Sequence, residues 1–202
     1  MGIKPVSPTT LMVAGALLLA ACGSTTADQA TTAELGEATP TATTATAQPS
    51  GNFNDADVMF TQMMIMHHRQ AVEMARLAPA RASDEQVKAI AAKIKSEQER
   101  EIETMQGWLK AWGKPMSTGG MGHEMPGGMS QEDMRKLGAA RGAAFDKEFL
   151  QMMTNHHRSA IMMAGIEQRL GANPQAKQLA RSIAASQEAE VAQMRKILDR
   201  LK

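Results

Sequence analysis

An all-α fold, a four-helix bundle built from two antiparallel hairpins, is predicted by three features of the chain. The first is an internal duplication. Residues 60–69 (FTQMMIMHHR) and 149–158 (FLQMMTNHHR) stand 89 positions apart, and the offset holds without a gap for roughly fifty residues. It pairs Asp57 with Asp146, Ala71 with Ala160, Ile94 with Ile183, Gln98 with Gln187, Glu101 with Glu190 and Met105 with Met194. Such a repeat implies two copies of one unit sharing a core. The second is composition: 18 Met, no Tyr and 3% aromatic residues among 202 disfavour sheets, and the abundant Ala, Gln, Glu, Lys and Arg favour helices. The third is apolar spacing at the helical period. With His67 as the origin of a wheel turning about 100° per residue, Phe60, Met63, Met64, Ala71, Met74 and Ala78 fall within about 60° of it, and His68 lies on the shoulder.

In chain order, residues 1–21 read as a signal peptide, with Lys4 before a short apolar run, and residues 19–23 (LAACG) resemble the lipobox of bacterial lipoproteins. That resemblance implies cleavage before Cys22, the only cysteine, and its lipidation. Residues 22–50 are mostly Thr, Ala, Gly, Ser and Pro and read as a disordered tether. The folded part, 51–202, divides into repeat one (53–113), a Met-rich loop (114–130) and repeat two (131–202).

Asn52 or Asn54 caps the first helix, which runs to about Ala78 before Pro79. Residues 83–86 (SDEQ) read as a capping box opening the second helix, whose buried line is Val87, Ile90, Ile94, Gln98, Glu101, Met105 and Trp108. After the loop, Ser130 caps a short extra helix ending near Ala140. The second copy carries Phe149, Met152, Met153, His156, Ala160 and Met163, then Gly171 as a left-handed stop and Asn173-Pro174 as N-cap and first turn of the last helix. That helix buries Leu179, Ile183, Gln187, Glu190, Met194 and Ile197.

This pattern brings imidazoles, thioethers and carboxylates into one interior. Buried Glu101 and Glu190 need a partner, which is either a metal ion or the imidazoles themselves. Thioether sulfur selects Cu(I), and imidazole suits copper among other metals. The predicted ligands are Met63, Met64, His67 and His68 with Met152, Met153, His156 and His157. Met66, Met105, Met194, Glu101, Glu190 and the loop residues Met121, His123, Met125 and Met129 come second, with Gln98 and Gln187 orienting the imidazoles. The loop is expected to be a weak entry site, and acidification to about pH 5 to weaken the bundle site more, unless burial lowers the histidine pKa.

Residues 60–75 with 98–105, and 149–164 with 187–194, resemble the bacterial DUF305 family over about residues 53–202. The resemblance implies a ferritin-like four-helix bundle, exported or lipid-anchored, and some members are associated with copper binding and tolerance. Met66 and Asn155 depart from it, since members often carry Pro before the His pair. The expected function is therefore copper sequestration or transfer by an envelope lipoprotein, not an enzyme, with copper donor or acceptor proteins and the membrane as partners. A net charge of +1 points away from nucleic acid. Two alternatives stand beside it: a ferritin-like oxidase with a dinuclear iron or manganese centre, and a metal-free interaction module.

Overall fold

The computed structural model describes residues 51–116 and 128–202. The signal and tether segments with Cys22, and the loop residues Met121, His123 and Met125, lie outside the described residues. Within them the chain is all-helical. Four long helices, α1 (Asp55–Ala75), α3 (Glu85–Ala111), α5 (Gly142–Leu170) and α6 (Pro174–Arg200), carry two short ones, α2 (Ala78–Arg81) and α4 (Gln131–Ala139). Helix α1 packs along α3 and α5 along α6, and the two hairpins join mainly through α1 and α5.

Four of the six helix starts are fixed by a short polar side chain. Asn54 caps α1 in a reciprocal box with Asp57, and Ser130 does the same for α4 with Asp133. Asn173 caps α6 ahead of Pro174. The cap of α3 differs from expectation: Asp84, not Ser83, accepts from Gln86 and Val87 N–H. Ser83 instead turns to Asp146 on the other hairpin. Helix α1 also stops earlier than expected, at Ala75. Pro79, which has no N–H to give, is absorbed into the first turn of α2. Gly113 (φ 64°), two residues past Ala111, stops α3, with Lys114 N–H reaching back to Leu109 C=O at 2.9 Å.

Gly171 is not left-handed. Its φ and ψ are −65° and 150°, open to any residue. Glycine is required for space: a Cβ there would overlap the Glu167 carboxyl and stand 2.8 Å from Asp57 Oδ1.

The interior is two apolar cores rather than one. One gathers Met74, Ile90, Ile94, Phe145, Phe149, Met153 and Met194, and the other Phe60, Met64, Met105, Trp108, Leu109, Met163 and Ile183. Burying each large side chain contributes about 1.5–3 kcal/mol. On all four long helices the stretch between the two cores holds buried polar residues: His67 and His68, Gln98, His156 and His157 with Ser159, and Gln187 with Glu190. The bundle is thus divided across its middle by a polar layer.

Candidate metal centre

Consecutive histidines on a helix point about 100° apart. That angle sends the first of each pair to the seam between hairpins and the second to its own hairpin partner. His67 and His156 meet across α1 and α5, ring centroids 3.5 Å apart and planes inclined by 32°. His68 Nε2 contacts Glu101 Oε2 on α3 at 2.7 Å, and His157 Nε2 contacts Glu190 Oε2 on α6 at 2.8 Å. Of the two partners open to the glutamates, the imidazoles take them. Glu101 is less buried than expected, its side chain 20% exposed against 4% for Glu190.

The hydrogen bonds assign the tautomers. Ser159 Oγ donates to His156 C=O at 2.9 Å, so His67 Nε2–H donates to Ser159 Oγ at 2.6 Å. His68 and His157 donate Nε2–H to their carboxylates. Nδ1 of His67, His68 and His157 is buried and unpartnered among the described residues. His156 has neither nitrogen partnered, and Gln98 leaves both amide atoms open. An unmet buried polar atom costs about 1–3 kcal/mol, and water or an ion is the kind of partner these atoms can take.

Its electrostatics agree with ligation. Burial, with His68 and His157 nearby, pushes His67 down to about 3, and burial with His67 beside it holds His156 well below the ordinary imidazole range. His67 is thus neutral at pH 5, and burial favours the same metal-binding neutral form in His156. The expected weakening at that pH does not apply to His67, because burial has already lowered its pKa. Burial alone would raise Glu190, but hydrogen bonds from His157 and Lys93 outweigh it and hold the carboxyl below its ordinary value. Lys93 Nζ lies 2.7 Å from Glu190 Oε1 and also binds Glu97.

The predicted methionines are distributed around the layer. Met64 and Met105 lie in one core and Met153 and Met194 in the other, all fully buried. Met63, Met66 and Met152 are half-buried. Met129 is held through its backbone, which exchanges two 2.8 Å hydrogen bonds with the Gln70 amide. Among the described residues, no three His, Cys, Asp or Glu groups converge tightly enough to hold an ion by themselves. The donors that fit a metal are the unpartnered imidazole nitrogens with thioethers on either side.

Sequence reasoning missed Ser159, Gln70 and Lys93. Ser159 and Gln70 occupy the same repeat position, so the offset marked the pair, but the two copies use it differently. Lys93 reaches Glu190 across α3 and α6, a contact no local pattern announces.

The family model for a domain of unknown function, DUF305, matches residues 57–198. A DUF305 protein of Streptomyces coelicolor, described as a candidate secreted protein, has 35% identity and a TM-score of 0.69, covering 72% of this chain and 93% of its own. A DUF305 fragment from Deinococcus radiodurans has 28% identity and a TM-score of 0.67, covering 73% and 97%. CopM in its Cu(II)-bound form has 33% identity and a TM-score of 0.63, covering 72% and 97%; CopM structures also hold Cu(I) and silver. Among curated proteins there is no match.

Proposed function

The chain belongs to the DUF305 family, and we propose that within it this protein binds copper as cargo, taking Cu(I) at the central histidine layer for sequestration or transfer. The observation that carries this reading is the set of buried imidazoles whose Nδ1 atoms have no partner among the described residues. Their outer nitrogens are held by Glu101, Glu190 and Ser159, the kind of support that orients metal-bound histidine. Methionines above and below supply soft sulfur, which favours Cu(I) over harder ions. The copper and silver forms of CopM support the same class of cargo.

The lipobox-like residues 19–23 and the Thr/Ala-rich segment after them support export and anchoring through Cys22, with the bundle on a tether at the membrane surface. Copper donor and acceptor proteins are the natural partners of such a site. The dinuclear iron or manganese alternative is less well supported. Such centres draw on carboxylates facing a shared pair of ions. Here Glu190 commits its two oxygens to His157 and Lys93, and Glu101 is held by His68.

The test is a Cu(I) titration of the protein against a competing chelator, repeated with His67→Ala and His156→Ala. Tight binding by the parent protein, lost in both variants, is expected. Affinity no better than about 1 μM in the parent protein would sink the reading.

A further inference from the structure

The outward side of the α1/α5 pair carries three methionines, Met59, Met66 and Met162, that neither packing nor the duplication accounts for, beside Met63, which both do. His68 and His157 point to α3 and α6, so the opposite sides of α1 and α5 face away from the rest of the bundle. On the wheel that outward side holds Met59, Met63 and Met66 of α1 and Met162 of α5. Met59 is 58% exposed and Met162 61%, so neither fills a core. The repeat sharpens the point. At the equivalents of Met59, Met66 and Met162 the other copy carries Glu148, Asn155 and Glu73, the polar residues expected on an open helix face.

These positions lie on one half of the seam, between its end and the histidine layer. Asn54 Nδ2 donates to Leu170 C=O and Asp57 accepts from Asn173 N–H, so α1 runs antiparallel to α5 with its first turns beside the last turns of α5. His67 meets His156 further along. Met162 therefore stands beside the turns holding Met59 and Met63. Met59, Met63 and His67 follow one another at i, i+4 and i+8, a single line on one helix. Exposure falls along it, from 58% at Met59 through half-buried Met63 to fully buried His67. The linker between the hairpins also leaves and returns on this side, Pro115 C=O held by Gln62 and Met129 by Gln70.

We propose that Met59, Met63, Met66 and Met162 form a surface thioether site for a soft monovalent ion, from which the ion passes along α1 to His67. Neutral thioether sulfur suits such an ion, binds it without displacing a proton and, being exposed, exchanges quickly. The inference rests on the histidine layer being the destination, but the surface site has its own readout.

The full chain, carrying ¹³C-methyl methionine, is titrated with Ag(I), a redox-inert monovalent probe, and followed by NMR of the methionine methyls and histidine rings. The ε-methyls of Met59, Met63, Met66 and Met162 are expected to shift together. In Met59→Leu/Met162→Leu, similar in volume and apolarity, the shift at Met63 and Met66 shrinks, and His67 responds more slowly to the same end point. In His67→Ala the four methyl shifts persist. Silent methyls in the parent protein, or a leucine variant that loads as fast as the parent, overturns the proposal and marks the face as an apolar surface only. Silent histidine rings with shifting methyls would instead refute the copper site in the layer and leave the thioether site standing.

Discussion

Asp57 and Asp146, equivalent residues of the two repeats, each clamp the turn of the opposite hairpin. Asp57 accepts from Ala172 N–H at 3.1 Å and Asn173 N–H at 2.9 Å, just before α6. Asp146 accepts from Ser83 and Asp84 N–H, both at 3.1 Å, just before α3. The hairpins are thus locked at both ends of the bundle, with the histidine layer between the locks.

Asp57→Ala or Asp146→Ala leaves backbone donors of a turn without their acceptor, and each is expected to destabilise the fold by about 1–3 kcal/mol. The locks lie at opposite ends of α1, so the double variant should add to within about 0.5 kcal/mol. Urea unfolding of the four proteins measures both. A double variant no worse than either single one would mean that the locks act as one unit.

Asp57 also faces Glu167, and the pair is expected to share a proton. Burial and the neighbouring Asp57 raise Glu167 to about 8, and hydrogen bonds from Glu167 and backbone N–H groups outweigh burial to hold Asp57 below its ordinary value. Between about 4.5 and about 8 the folded protein holds a proton that the unfolded chain has released. The stability Glu167 contributes is complete below this window and is lost as pH rises through it. Glu167→Gln keeps a donor toward Asp57 without titrating. The difference in unfolding free energy between parent and variant should therefore slope downward with pH across that window. A flat difference would show that no proton is shared.

Gly171 can be tested against the same pair. Its backbone accepts alanine, so Gly171→Ala measures only the lost space beside Glu167 and Asp57. A destabilisation of about 1–3 kcal/mol is expected from the overpacking. Thermal unfolding should show a smaller effect in a Glu167→Ala background, where the obstructing carboxyl is gone. An equal effect in both backgrounds would place the cause in the backbone.

What could be read from the chain alone follows from the range of each interaction. Helical period and the 89-residue offset are local or self-referential, and they put Phe60, Met64, His67, Ile94, Gln98 and Met105 inside before any coordinates. Gly171 was marked as a helix end on composition, but its reason, a carboxyl pair from two helices, depends on packing. The same holds for Ser83, whose local pattern offered a cap while Asp146 from the other hairpin claimed it. The glutamates were legible as buried and needing partners. Which partner they took depended on the 100° step between adjacent histidines and on the side from which α3 and α6 approach.

The imidazole–carboxylate pairs should tune the site without forming it. Glu101→Gln and Glu190→Gln still offer an oxygen to Nε2–H, so the tautomers survive while the rings lose basicity. Each is expected to weaken Cu(I) affinity about 10–100-fold in chelator competition. Glu190→Gln should also lower the melting temperature more than Glu101→Gln does, because Glu190 is the more buried and holds Lys93 as well. Affinities unchanged in both variants would remove the carboxylates from the site.

The cost of keeping the layer ready for an ion predicts an opposite sign for metal-free stability. His156 is fully buried, neutral, and unpartnered at both nitrogens. Replacing it with leucine removes two unmet polar atoms and extends the apolar cores on either side, at the loss of its stacking on His67. Removing unmet groups in favour of apolar ones of similar size is neutral or stabilising. His156→Leu is therefore expected to raise the unfolding free energy of the metal-free protein, by about 1 kcal/mol, and to abolish the further stabilisation that Cu(I) gives the parent. Chemical unfolding with chelator and with saturating Cu(I) separates the two effects. A variant that is less stable without metal would mean that His156 has a structural role the unpartnered nitrogens do not reveal. A variant still stabilised by Cu(I) as strongly as the parent would exclude His156 from the ligand set.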